Sequence, residues 1–106
     1  MAKYLLSASY TTEGARGLKK DGGTKRRAAA AAAIESVGGK LESFYYAFGE
    51  TDVFAIADLP SHAAAVAVTL SIAGTGAVNG RLTPLISVED MDAACGMNVG
   101  YKAPGA

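Results

Sequence analysis

The chain's pattern predicts an α+β fold of ferredoxin-like βαββαβ order with an antiparallel sheet, and three observations lead there. Two segments rich in aromatic and β-branched residues, 40–49 and 52–58, flank a short Gly-containing turn. Alanine-rich helical stretches, 12–37 and 59–74, stand on either side of that hairpin. Strand-like segments at 3–10 and 80–88 open and close the set, which gives the split βαβ arrangement.

Each element has its own local reason. "KYLLSASY" (3–10) is a strand by its Leu and Tyr content, and Thr11, Thr12 and Glu13 after it suit a helix start. The helix that follows is interrupted at "DGG" (21–23), because two adjacent glycines cost about 2 kcal/mol of helix propensity relative to alanine. Six consecutive alanines (28–33) restart it, Ile34 and Val37 extend its apolar face, and Gly38-Gly39 ends it. A helix carrying only methyl groups is expected to approach its neighbour closely. The hairpin turns at Gly49, whose freedom at positive φ suits a tight turn, as does the tendency of Asp52 to bond its own backbone. Val66, Val68, Leu70 and Ile72 alternate as a strand would, but Ser61 after Pro60 reads as an N-cap and the alanines favour helix. Pro84 cannot donate to a ladder and predicts an edge position or a bulge for the last strand. Ser87 caps a short acidic helix, "VEDMDAAC", and the Gly/Pro-rich tail is read as extended.

Two helices cover one face of such a sheet and leave the other bare. On the first strand Tyr4, Leu6, Ala8 and Tyr10 alternate with Leu5, Ser7 and Ser9. On the second, Phe44, Tyr46 and Phe48 alternate with Leu41, Tyr45 and Ala47. Both faces are too apolar for water, so the sheet is expected to pack on that of a second copy, forming a dimeric α/β barrel across a two-fold axis. A homo-oligomer, a dimer above all, is the expected partner.

At 106 residues, with 50% apolar and 19% charged, the chain reads as one globular domain spanning 1–106. Ten basic and ten acidic residues cancel, which argues against nucleic acid or an anionic membrane as a partner. The N-terminus is too short and polar for a secretory signal, and the densest apolar run falls well short of the roughly 20 residues a span requires. A cytoplasmic protein is expected. One cysteine, Cys95, and one histidine supply neither a disulfide nor a Cys/His zinc site, and no metal or organic cofactor is expected.

"KYLLSASYTTEGARGLKKDGGTKRR", the "GGKLESFYYAFGETD" hairpin, "TPLISVEDMDAA" and the "YKAPGA" ending together resemble the GYD domain, a family of small bacterial and archaeal proteins named for a Gly-Tyr-Asp signature. That family is similar to the dimeric α/β-barrel superfamily, which includes cofactor-free monooxygenases and isomerases. The resemblance implies a fold and a habit of pairing and names no reaction. Gly49 and Asp52 fit the signature, but Thr51 stands where its tyrosine is expected.

Candidate site residues each have a structural alternative. Asp52, at a strand end beside aromatic rings, is a candidate general base or a turn residue bonding its own backbone. His62, the one group with an ordinary pKa near neutrality, is a candidate proton shuttle or an exposed first-turn residue. Lys25, Arg26 and Arg27 place cations at a helix start, against its dipole, and so read either as an anion-binding cluster or as a solvated face. Tyr45 and Tyr46 could stack on an aromatic ligand or simply pack. Arg81 is the further candidate for orienting a ligand. The favoured expectation is a self-associating interaction or small-ligand-binding module taking an anionic or aromatic molecule. The alternative is a cofactor-independent monooxygenase- or isomerase-like enzyme in which His62 or Asp52 abstracts a proton from an aromatic or dicarbonyl substrate.

Overall fold

A computed structural model describes residues 1–106. In chain order the elements are β1 (Ala2–Tyr10), α1 (Thr12–Asp21), α2 (Gly23–Ser36), β2 (Lys40–Tyr46), β3 (Val53–Leu59), α3 (His62–Ala73), β4 (Val78–Pro84) and α4 (Val88–Cys95). The strands form one sheet in the order β2-β3-β1-β4, and every neighbouring pair is antiparallel. The fold is the α+β, ferredoxin-like one that the order of segments predicts.

Local chemistry places the helix boundaries. The side chains of Thr11, Ser61 and Ser87 accept the backbone N–H of Gly14, Ala64 and Asp90 and so cap α1, α3 and α4. The break between α1 and α2 falls at Gly22, whose φ of 84° lies in the left-handed region and whose N–H closes α1 on the Leu18 carbonyl at 2.7 Å. Pro84 ends β4, an edge strand.

The hydrophobic core is small and sits at one end of the molecule. Tyr4, Ala57 and Leu59 of the sheet meet Ile34 of α2 and Ala65 and Val68 of α3. The Tyr4 ring is 2% exposed, and its buried phenol shares a 2.5 Å hydrogen bond with His62 Nδ1, which satisfies a group that would otherwise be costly to bury. At the opposite end the start of α1 is pinned to the loop before β4. There the Thr11 N–H donates to the Ala77 carbonyl at 3.0 Å and the Thr11 hydroxyl to Gly76 O at 2.9 Å.

Two local expectations are corrected. Leu41 does not share a face with Tyr45, because β2 carries a bulge between Leu41 and Ser43. Glu42 is the extra residue, so Leu41 stands opposite Ala57 on the helix side together with Phe44 and Tyr46. Nor does the hairpin turn tightly at a positive-φ Gly49. β2 ends at Tyr46 and β3 starts at Val53, and the longer connection lets Gly49 keep an ordinary φ.

The face away from the helices carries Leu5 and Ser7 of β1, Phe54 and Ile56 of β3, Tyr45 of β2 and Arg81 of β4. Tyr45 is 70% exposed there. At one end of this face Lys3 bridges Glu42 and Asp58, each at 3.0 Å. These two hydrogen bonds, Glu42 first, hold the Lys3 ammonium above its ordinary pKa. Beyond β4 the chain leaves the body, and residues 86–106, α4 included, are exposed throughout. The radius of gyration is 17.1 Å against about 13 Å for a compact chain of this length.

A Cβ at Gly14 would lie 1.9 Å from the Ala77 carbonyl oxygen, whereas one at Gly49 meets nothing within 4 Å. Gly14→Ala is expected to lower stability by about 1–3 kcal/mol as the α1 start is forced off that loop, and Gly49→Ala to change it by less than about 0.5 kcal/mol. Urea unfolding of both variants checks the contrast.

Candidate functional site

The site follows from how α2 and α3 lie over the sheet. The two helices run over it in opposite senses, and Ile34 of α2 and Ala65 and Val68 of α3 join the same buried cluster on the sheet. Away from that cluster, α2 presents Ala29, Ala30 and Ala33, and α3 presents Ser71 and Ile72. Methyl groups are too short to fill the gap between these helices. A cavity of about 330 Å³ remains, floored by Leu6, Ala8, Phe44, Val53 and Ala55, with Thr75 and Val78 beyond the end of α3. The close approach expected of a poly-alanine helix is met along β2 but not here, because nothing opposite α2 reaches across.

The cavity is predominantly apolar, and its polar groups are few. Arg26 and Tyr10 stand at the end where α2 begins. Tyr10 also forms a wall of a second, more open depression of about 440 Å³ that includes Leu18, Lys19, Gly23, Tyr46 and Asp52. The Tyr46 phenol donates to the Gly23 carbonyl at 2.8 Å and its ring packs edge-on to Phe44 at 5.1 Å, so the cavity floor and the α2 start are held by one side chain. Arg26 is partly exposed and lies 3.7 Å from Asp21, too far for a well-formed hydrogen bond.

Asp52 acts as a latch in this arrangement. Its carboxylate accepts the Tyr10 N–H at 2.8 Å, its own N–H donates to Ala8 O at 2.9 Å, and its carbonyl accepts from the Ala47 N–H at 2.7 Å. Two of these bonds tie the β2–β3 connection to the end of β1 and fix where Tyr10 begins, and the third closes the connection on itself. The neighbouring Glu50 contributes its carbonyl, which accepts the Ser9 hydroxyl at 2.7 Å.

Arg26, Tyr46 and Asp52 therefore gather around Tyr10, while the other candidates scatter. His62 lies beyond the far end of β3 from Asp52, and a seven-residue strand puts about 20 Å between them. There it is the hydrogen-bond partner of Tyr4. Lys25 faces Asp21 at 3.7 Å, Arg27 is exposed, and neither Tyr45 nor Arg81 borders the cavity. Sequence reading left out Ser71 and Thr75, whose hydroxyl-bearing side chains line the cavity, and the alanines as its walls. The alanine run was the available signal, since six small residues in one helix can mean room as well as closeness.

Both phenols are driven above their ordinary pKa of 10.0. For Tyr10 burial is the main cause and the nearby Tyr46 phenol adds to it, while the Arg26 guanidinium pulls the other way. For Tyr46 burial again leads, opposed by Arg26. A tyrosine held above its unfolded pKa keeps its proton longer in the native state. Its stabilising contribution is complete below about pH 10 and is lost as pH rises through the native value. Tyr10→Phe and Tyr46→Phe are each expected to flatten the alkaline fall in thermal stability relative to the parent. Ultraviolet titration of the parent should show late-ionising tyrosines that these substitutions remove, and identical alkaline profiles would contradict the assignment.

Searches of curated proteins and of solved structures return no match. The family model described as the GYD domain matches residues 4–95, a span from the first core residue of β1 to the end of α4 that takes in the cavity and the latch. By that match the chain belongs to the GYD domain family.

Proposed function

We propose that this protein is a self-associating small-ligand-binding module whose ligand, a compact apolar molecule with an anionic end, enters the space between α2 and α3. The observation that carries this reading is the 330 Å³ apolar cavity with Arg26 at one end. Binding sites have this composition, largely hydrophobic walls with few polar groups to fix orientation. An apolar cavity of about 150 Å³ takes one benzene, so this one has room for about two rings. Arg26 suits a carboxylate, and its weak contact with Asp21 leaves most of its donors free.

Binding without turnover is the better-supported form of the reading. Neither His62 nor Asp52 lines the cavity, and the Asp52 carboxylate is engaged by a backbone N–H. The self-association in the proposal rests on the bare sheet face, where Tyr45 and Phe54 are exposed beside half-buried Leu5 and Ile56.

The test uses 2-naphthoate and its neutral counterpart 2-naphthalenemethanol, followed by amide NMR and calorimetry. Shifts at Ala30, Ala33 and Ile72 are expected with both, and the carboxylate is expected to bind about tenfold tighter, a gap of about 1.4 kcal/mol. Arg26→Gln should remove that preference, and Ala30→Leu, which fills the space, should abolish binding while the melting temperature holds or rises. Unmoved amides at millimolar ligand in the folded parent protein would overturn the proposal.

A further inference from the structure

We infer that residues 86–106 are an exchange arm: α4 of one copy seats on the bare sheet face of a second copy, whose own arm seats on the first. The inference rests on the self-association proposed above and names what makes the contact.

Nothing in its own chain covers the arm. Val88 is 75% and Met91 50% exposed, and with Cys95 they occupy one side of α4 at helical spacing. Glu89, Asp90 and Asp92 on the same helix form no ion pair. Helices shorter than about 12 residues are marginal in water, so an eight-residue helix with no packing partner needs a surface to hold it.

The bare face offers that surface. Tyr45, Phe54, Ser7 and Arg81 are successive cross-strand neighbours and make one row across all four strands. The row is apolar at its Tyr45 end and cationic at its Arg81 end, and Arg81 has no carboxylate partner in the chain. Four strands span about 14 Å and an eight-residue helix about 12 Å, so α4 fits along the row. Apolar contacts with unpaired acids on one part meet apolar contacts with an unpaired base on the other. Every copy carries both parts, so a two-fold pair satisfies all four at once, which a foreign partner would not. The area agrees: the chain exposes 7410 Å², about 1,900 Å² more than the roughly 5,500 Å² of a compact 10.7 kDa monomer. A standard interface needs only about 800 Å² per partner.

Two measurements test this. Light scattering should give twice the 10.7 kDa chain mass for the parent. Val88→Glu combined with Met91→Glu should raise the dissociation constant at least tenfold, with unchanged circular dichroism in the strand region, because both side chains are exposed and belong to no buried cluster. In the second measurement, a nitroxide on Cys95 of an unlabelled copy is mixed with a nitrogen-15-labelled Cys95→Ala copy. Broadening of the Ser7, Tyr45 and Phe54 amides is expected. A stable pair with those amides unbroadened overturns the arm exchange and leaves self-association standing. A single-chain mass overturns both, whereas ligand binding in the cavity is read separately by the naphthoate titration.

Discussion

The chain is short of buried surface, and most of what is distinctive about it follows from that shortage. Nine of 106 residues are buried, and six of them form one cluster at one end of the sheet. A domain of about 100 residues has little margin between hydrophobic gain and conformational entropy. Here that margin is narrower still, because the alanine helix contributes methyl groups where leucines would interlock. What closes the structure away from the core is polar: the Thr11 clamp on the loop before β4 and the Asp52 latch on β1. Both bind backbone to side chain and need no bulk.

The same economy creates the cavity. Two helices that share one buried cluster on the sheet leave space between them beyond it, and small residues along α2 keep that space open. Larger side chains at Ala30 and Ala33 would remove the void and add to the core. The position of Tyr10 shows how the void is bounded. Its backbone is held by Asp52, and the residue borders both the cavity between the helices and the more open depression beside α1. Asp52 thus sets where that wall stands, through its bond to the Tyr10 N–H.

Much of this was legible in the sequence where neighbours along the chain decide the outcome. The three capping hydroxyls, the helix break at Gly22 and the edge position of Pro84 are local events, and each is where residue chemistry puts it. The face of Leu41 was not legible, since a bulge is a property of two paired strands and leaves little trace in one. The ordinary φ of Gly49 follows from a connection longer than the alternation of residues suggested. The site was the hardest part to read. Tyr4 and His62 are 58 residues apart, and a cavity is what remains after helices and sheet have packed, so its volume belongs to no segment.

The Glu42 bulge has an effect beyond turning Leu41 inward. It lies on β2, one margin of the sheet, while the opposite margin, β4, contains Gly80 and ends in Pro84. A bulged margin and one interrupted by glycine and proline are both poor templates for an incoming strand. Growth by lateral strand addition, the route to open-ended fibres, is thus disfavoured at both margins. What the molecule leaves available for contact is a broad surface, and surfaces related by a two-fold axis close after two copies.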